Sequence, residues 1–374
     1  MSNPRKIACI VGTRPEVIKM APVIVELRKR PETFETLVIA TAQHREILDQ
    51  MMQTFGIKAT VDLNLMEANQ TPVQLLSHIV ASTDQVLRDL APDLVLVQGD
   101  TTTVMAVSLV AFLNKIPLGH VEAGLRSFDN YNPFPEEVSR RVASLVASFH
   151  FAPTERAKSN LVGEGVPERR IFVTGNTGVD ALLNMRNEAE AIADPKLDGI
   201  DFARHKVILM TAHRRENHGP SLRSICQAVL TLVNRNQDVA VVYPVHPNPN
   251  VRSTAEEMLG GRQRIHLMPP IEYLDMIRIM SRCHLILTDS GGIQEEAPTF
   301  GKPVLVLRNV TERPEGVEAG VAKLIGTQTD AIVREVESLL NDRQKYEEAS
   351  ARGNPYGDGQ AARRIVDILQ QNLP

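Results

Sequence analysis

Short apolar runs rich in β-branched residues alternate along the chain with longer segments whose apolar positions recur at helical spacing. Such alternation predicts parallel strands joined by crossover helices. In the first part of the chain the predicted strands are KIACIV, TLVIA, DLVLVQ, PLGHV, FHFAP and IFVTG. The helices between them are predicted at about 16–30, 45–55 and 135–147, and another opens at TTTVMAVSLV.

A second alternating set follows the polar stretch EAEAIADPKLDGIDFARHK, whose Pro and Gly are typical of a domain junction. Its predicted strands are VILMTA, VAVVYPV, RIHLMP, HLILTD, PVLVLR and VAKLIG, and QAARRIVDILQQNL forms a last helix. A chain of 374 residues exceeds the size at which one hydrophobic core usually stops growing. We therefore predict an α/β fold of two Rossmann-like doubly wound domains, at about 1–185 and 195–358.

Composition narrows the class of protein. A hydrophobic fraction of 43% with 23% charged residues is typical of an ordered globular chain. The net charge of -4 leaves no basic stripe for nucleic acid. Cys9, Cys226 and Cys283 lie far apart in apolar stretches, which favours buried thiols in a reducing compartment. No apolar run approaches about 20 residues, so we expect a cytoplasmic protein without a membrane segment.

The first strand-to-helix junction, VGTRPEVIK, carries two cations, Arg14 and Lys19. Helix N-termini attract anions, so this junction is a candidate phosphate site, although solvated surface charge is the alternative. The junction matches neither GxGxxG nor GxxxxGK[ST], which argues against a dinucleotide cofactor and a P-loop.

A second candidate is the glycine-rich junction LILTDSGGIQEEAP. We expect Asp289 and Ser290 to cap the helix that follows, and Gly291 and Gly292 to let a diphosphate approach the backbone. The first-turn glutamates either complement the helix dipole or accept hydrogen bonds from ribose, and we favour the ribose role for Glu296.

Candidate acid/base groups stand at other junctions: Asp100 in QGDTTT, Glu122 after PLGHV, Glu136 with Glu137 in PFPEE, and His213 in TAHRREN. Each has an ordinary alternative as a helix cap, a first-turn acid or a buried histidine. Together they would form an acid/base site, without the ligand cluster that a metal ion needs.

Nine segments in order, GTRPEVIK, GDTTT, HVEAGLRS, PEE, HRREN, HPNPN, TDSGGIQEEAP, TERPEGVEAG and NPYGDGQA, resemble the non-hydrolysing UDP-N-acetylglucosamine 2-epimerases nearly end to end. The resemblance implies a GT-B fold with a cleft between its domains and a C-terminal helix, about 360–374, that crosses back to the first domain. It implies interconversion of UDP-N-acetylglucosamine and UDP-N-acetylmannosamine through elimination of UDP to a 2-acetamidoglucal, with no cofactor. The product would serve cell-surface polysaccharide, and the enzyme would be a homodimer.

The resemblance also implies roles for individual residues. The catalytic set would be Asp100, Glu122, Glu136 and His213. The substrate-binding set would be Arg14, Lys19, Arg140, Ser290, Gly291, Gly292, Glu296 and Arg313, and Arg140 would steer Glu136 from one helical turn away. Gln43, His44 and His246 match an activator site for a second UDP-N-acetylglucosamine, although Asn69 stands where an arginine is expected.

Several positions depart from the family pattern, namely Ser127, Phe128, Ser139 and Met276. They affect loop geometry and the contact with uracil, but not the carboxylates. A modified UDP-N-acetylhexosamine is therefore an alternative substrate. The other readings are a GT-B glycosyltransferase, a hydrolysing 2-epimerase and a non-catalytic nucleotide-sugar sensor. The three acids together with HRREN favour the epimerase.

Overall fold

The computed structural model describes residues 3–41, 45–65, 70–191, 197 and 199–373. The chain divides into two compact units. Unit 1 comprises Met1–Ala181 with Gly357–Pro374, and unit 2 comprises Leu182–Tyr356. Each unit is a parallel sheet with helices, which confirms the predicted α/β class.

Unit 1 opens with five strands and the helices that connect them: β1 (Arg5–Val11), α1 (Arg14–Arg28), β2 (Phe34–Ala40), α2 (Arg45–Thr54), β3 (Val61–Asp62), α3 (Pro72–Leu90), β4 (Leu94–Gln98), α4 (Thr102–Leu113) and β5 (Leu118–Val121). It continues with α5 (Glu136–Val146), β6 (Phe149–Ala152), α6 (Glu155–Gly163), β7 (Ile171–Val173) and α7 (Thr177–Ala191), whose last part belongs to unit 2.

The sheet of unit 1 has the order β3-β2-β1-β4-β5-β6-β7, and all its strand pairs are parallel. All the strands predicted for this half are present, and the two-residue β3 is an addition. The direction of winding reverses between β1 and β4, and such switch points are where doubly wound sheets bind ligands. The loops that follow β1, β4 and β5 therefore leave the sheet at one edge.

Unit 2 contains β8 (Lys206–Thr211), α8 (Pro220–Arg235), β9 (Val239–Pro244), α9 (Pro249–Leu259), β10 (Ile265–Met268), α10 (Tyr273–Arg282), β11 (Leu285–Thr288), α11 (Gly291–Glu296), β12 (Val304–Val306), α12 (Pro314–Glu318), β13 (Ala322–Leu324), α13 (Thr329–Asn341) and α14 (Arg343–Ser350). Its parallel sheet has the order β10-β9-β8-β11-β12-β13. The switch lies between β8 and β11, which brings together the loops that carry HRREN and DSGG.

The C-terminal helix α15 (Ala361–Asn372) packs on α1 in unit 1, which confirms the prediction that it returns to the first domain. Arg30 of the segment after α1 pairs with Asp367 at 2.6 Å. The N–H of Ala362 donates to Oδ1 of Asp180 at 2.8 Å, so a side chain of α7 holds the start of α15. Leu369 is fully buried in this contact.

The three cysteines are buried and free, as predicted. Within the described part of the chain, no helix combines the length and the apolar character that a membrane crossing requires.

Candidate functional site

Glu122 lies directly after β5 and is contacted by a lysine and by a side-chain amide. Lys19 Nζ contacts its two carboxylate oxygens at 2.6 and 2.7 Å. The Gln98 side-chain amide, at the end of the neighbouring strand β4, donates to Oε2 of Glu122. Lys19 was predicted to contact substrate phosphate, and here its charge faces the carboxylate of Glu122.

The backbone at Glu122 has φ of +66°, a left-handed conformation that is rare for a residue with a side chain. Such strain costs on the order of 1–3 kcal/mol and collects at functional sites. The next N–H, that of Ala123, donates to the carbonyl of Phe151 on β6 at 3.0 Å. The residue that follows Glu122 is therefore hydrogen-bonded to β6.

Asp100 is bound by Arg140 of α5, whose Nε donates to Oδ2 at 2.9 Å. The same guanidinium contacts Glu137 at 3.2 Å. Asp100 does not cap α4, because the Thr101 hydroxyl accepts the hydrogen bond from Val104 N–H instead. The structure thus joins Arg140 to Asp100 and Glu137, and not to Glu136 as the helical spacing suggested.

Glu137 is fully buried and organises the loop after β5. It accepts the Ser127 N–H at 2.9 Å and the Phe128 N–H at 3.3 Å, and Arg141 contacts it at 3.2 Å. Burial opposes its ionisation, but these donors and the charge of Arg140 outweigh burial and lower the pKa of Glu137. Two departures from the family pattern, Ser127 and Phe128, are therefore accommodated through backbone contacts.

Glu136, the first residue of α5, is half-buried. Its Oε2 atom is buried and lacks a hydrogen-bond partner among the described residues. Buried polar atoms are nearly always paired, so a bare carboxylate oxygen at the start of α5 is what a site completed by a ligand would show.

Glu16 connects the loops that follow β1 and β4. Its Oε2 accepts the N–H groups of Gly12 and Thr13 at 2.9 and 2.6 Å, and its Oε1 accepts the Thr101 hydroxyl at 2.7 Å. Burial raises the pKa of Glu16 to about 7. A side chain at Gly12 would collide with the hydroxyls of Thr41 and Thr103, which is why glycine is required there.

In unit 2, Asp289 has a different role from the predicted helix cap. Its Oδ2 accepts the N–H groups of His213 and Arg214, and the Asn217 amide, each at 2.9 Å. Ser290 occupies the N-cap position of α11, but its side chain makes no capping hydrogen bond. The carboxylate is used to shape the HRREN loop after β8.

His213 lies over this aspartate, with Nδ1 at 3.4 Å from Oδ1 of Asp289. Its ring stacks on His246 with centroids 5.6 Å apart. Burial lowers the pKa of His213. Asp289 acts in the opposite direction, and the neighbouring His246 and Arg214 lower the pKa further. The imidazole is therefore neutral near neutral pH and can donate or accept a hydrogen bond, but does not supply a full positive charge.

Two guanidiniums stand beside the first residue of α11. A Cβ on Gly291 would lie 3.6 Å from Nη2 of Arg214 and 3.7 Å from Cζ of Arg313. Arg313 also pairs with the buried carboxylate of Glu295, and Arg214 Nε donates to the Asp289 carbonyl at 3.1 Å. Sequence reasoning named Arg313 and missed Arg214.

For the remaining predicted residues, the structure gives a position and a degree of burial. Gly292 is exposed and Glu296 is half-buried on α11, Arg14 is exposed at the start of α1, and Met276 is half-buried on α10. Gln43 and His44 of the expected activator site lie outside the described residues.

Gln98, Glu16 and Arg214 are side chains that sequence reasoning did not single out, and Glu137 was named only together with Glu136. They lie inside the segments VQGDTTT, GTRPE, HRREN and PEE. For Gln98, a polar residue at the buried end of an apolar strand was the available signal, because such groups need partners.

Comparison with known proteins identifies the family. A family model described as UDP-N-acetylglucosamine 2-epimerase matches residues 25–370. The UDP-N-acetylglucosamine 2-epimerase of Bacillus subtilis (strain 168) is 49% identical over 364 residues, which are 97% of this chain and 94% of that protein.

Solved structures that resemble this chain are members of the same family. The crystal structure of the Neisseria meningitidis UDP-GlcNAc 2-epimerase, bound to UDP-GlcNAc, is 47% identical with a TM-score of 0.90, and the match covers 98% of this chain and 100% of that one. The Methanocaldococcus jannaschii UDP-GlcNAc 2-epimerase, in complex with UDP-GlcNAc and UDP, is 35% identical with a TM-score of 0.79 and the same coverage. The agreement confirms the two-domain, GT-B-type fold. By sequence and by fold, the chain belongs to the UDP-N-acetylglucosamine 2-epimerase family.

Proposed function

We propose that this chain is an isomerase that interconverts UDP-N-acetylglucosamine and UDP-N-acetylmannosamine by inverting carbon 2 of the sugar. The observation that carries the proposal is the set of carboxylates after β4, β5 and at the start of α5, one of which has a bare buried oxygen. The activity is the one by which the Bacillus subtilis relative is named.

The chemistry is an elimination followed by an addition. A carboxylate takes the proton from carbon 2, the C1–O bond to the diphosphate breaks, and a C1–C2 double bond forms in a 2-acetamidoglucal. UDP leaves with the electron pair of the broken bond. Re-addition of UDP at carbon 1 with delivery of a proton to the other face of carbon 2 completes the inversion. Neither oxidation nor a redox cofactor is needed.

Two different bases suit a reaction in which the proton leaves from one face and returns on the other. Asp100, Glu122 and Glu136 are the candidates. Glu122 forms an ion pair with Lys19, and Asp100 forms one with Arg140, so each carboxylate is held at a defined position.

The residues of unit 2 act on the leaving group. Arg214 and Arg313 beside Gly291 supply positive charge for the diphosphate. His213, which is neutral, stabilises the departing oxygen by donating a hydrogen bond. The backbone at Ser290, Gly291 and Gly292 binds phosphate oxygens, Glu296 binds the ribose hydroxyls, and Met276 contacts the uracil.

Homodimerisation is part of the proposal. Two neighbouring helices of unit 1, α4 and α5, expose large apolar side chains: Leu109, Phe112, Leu113, Val138 and Leu145. Contiguous exposed apolar surface on a folded chain is typical of an interface. A second copy of the chain would cover it.

The carboxylates are tested with Asp100→Asn, Glu122→Gln and Glu136→Gln in deuterated water. Proton NMR measures loss of the carbon 2 proton of UDP-N-acetylglucosamine and growth of the UDP-N-acetylmannosamine signal. General acid/base groups contribute about 10²–10⁴-fold, so each variant is expected to lose at least 100-fold in rate. Glu155→Gln, on the exposed first turn of α6, is the matched control.

Full exchange in all three variants would end the assignment of these residues. Free N-acetylmannosamine with UDP as final products would establish a hydrolysing 2-epimerase instead. Sugar transfer that requires an added acceptor would establish a glycosyltransferase. Binding of the nucleotide sugar without turnover would indicate a non-catalytic sensor.

A further inference from the structure

Gln98 is a buried amide that faces Glu122. It is the last residue of β4 and is only 3% exposed, and its side-chain nitrogen donates to Oε2 of Glu122. In the parallel pairing of β4 with β5, Gln98 lies beside Val121, the residue before Glu122. The two side chains therefore leave the sheet from adjacent strand ends.

The backbone around Gln98 is fixed by both neighbours on β5. The N–H of Gly99 donates to the Val121 carbonyl at 3.0 Å, and His120 Nε2 lies 2.7 Å from the Gly99 carbonyl. Burial lowers the pKa of His120 to about 4, so the ring is neutral and carries its proton on Nε2 to make this bond. The main chain next to Gln98 is therefore held against β5.

The amide orientation follows from the chemistry of the partner. A carboxylate only accepts hydrogen bonds, so the nitrogen of Gln98, and not its oxygen, must face Oε2. Lys19 lies at 2.6 Å from Oε1 and 2.7 Å from Oε2, so its charge does not distinguish the two oxygens. The amide of Gln98 adds a directional contact at Oε2.

We propose that Gln98 is a positioning residue of the epimerase reaction, which fixes the plane of the Glu122 carboxylate through its hydrogen bond to Oε2. The inference rests on the proposed role of Glu122 as a proton-exchanging group. Gln98 does not touch the sugar in this account and acts only through Glu122. A purely structural Gln98 would contribute folding stability and nothing else.

Gln98→Met and Gln98→Glu separate these two roles. Methionine keeps the length of the side chain and removes the donor, so the carboxylate loses its fixed plane. We expect kcat to fall about 10- to 100-fold with KM nearly unchanged, because small misplacement of a reacting group has effects of this size.

Glutamate places a second carboxylate against Glu122, and like charges favour the protonated form. We expect the rising limb of the pH–kcat profile to move to higher pH in this variant.

Thr83→Val is the matched control. Thr83 is a buried polar residue of the same unit, whose hydroxyl donates to the Ile79 carbonyl at 2.6 Å within α3. The control loses one buried hydrogen bond and is expected to keep the wild-type kcat and pH profile. Thermal unfolding of Thr83→Val shows how much of the loss of kcat in the Gln98 variants is due to lower stability alone.

Wild-type kcat and an unmoved pH profile in both Gln98 variants, with the protein folded, would overturn the inference. So would a loss of activity that follows only the folded fraction. Glu122→Gln distinguishes this failure from that of the proposed function. If Glu122→Gln still exchanges the carbon 2 proton, the proposed function fails. If Glu122→Gln is inactive and the Gln98 variants are unaffected, only the positioning role fails.

Discussion

Single side chains in the first turns of α1 and α5 have more than one role. Glu137 shapes a loop and also contacts Arg140, which binds Asp100. Glu16 joins two loops that are separated by some eighty residues in sequence. These contacts determine where the candidate catalytic groups stand, although none of these side chains is itself expected to touch the sugar.

Glu16 gives a prediction about stability and pH. Its pKa rises from 4.5 to about 7 on folding, so the native state binds more protons than the unfolded state between these values. The stability linked to protonated Glu16 is complete below pH 4.5 and is lost as the pH rises through about 7, and it amounts to roughly 3 kcal/mol for the shift from 4.5 to about 7.

Glu16→Gln removes this titration. The new amide oxygen can accept the Gly12 and Thr13 N–H groups, and its nitrogen can donate to Thr101, so the loops are expected to survive. Thermal unfolding across pH 4.5–8 is expected to show a flatter profile for the variant than for the wild type, and Glu155→Gln serves as the control for loss of one surface charge. Parallel profiles for Glu16→Gln and wild type would contradict the prediction.

The site was predictable at the residue scale where a chemical group follows a strand. Asp100, Glu122 and His213 do stand at such ends. The partners were not predictable, because Lys19 meets Glu122 across 103 positions and Asn217 meets Asp289 across 72. Asp289 was expected to cap its own helix, since local capping is common, but the His213 loop offered it three donors.

At the scale of elements, the alternation of apolar runs was sufficient to predict most strands of both sheets. β3 was missed because its two residues are too few to show periodicity. The order of the strands was beyond sequence pattern, because a parallel crossover can place the next strand on either side of the previous one.

The docking of α15 gives a prediction at this scale. Leu369→Ala removes a fully buried side chain from the contact with unit 1. Large-to-small changes in a core cost about 2–5 kcal/mol. Hydrogen exchange of the α1 amides is expected to accelerate in this variant, while Gln371→Ala, at an exposed position of the same helix, leaves exchange unchanged. Equal protection of the α1 amides in both variants would mean that the packing of α15 contributes little to the stability of α1.

At the scale of the whole molecule, the exposed apolar residues of α4 and α5 bear on the proposed homodimer. Leu145 is 85% exposed, and Leu145→Glu would place a charge in an interface that covers this face. We expect sedimentation velocity to report a dimer for the wild type and a monomer for Leu145→Glu. Val25→Glu, at a partly exposed apolar position of α1, is the control and is expected to stay dimeric.

A wild type that sediments as a monomer at all concentrations would contradict the homodimer. A dimer that persists in Leu145→Glu would move the interface to another face of the molecule.

The central claim, that the chain erases and rebuilds the stereocentre at carbon 2, is tested most directly by proton NMR of the wild-type protein with UDP-N-acetylglucosamine alone in deuterated water. The account predicts that the carbon 2 proton signal disappears while a UDP-N-acetylmannosamine anomeric signal grows, without added cofactor. A spectrum in which bound UDP-N-acetylglucosamine keeps its carbon 2 proton would contradict it.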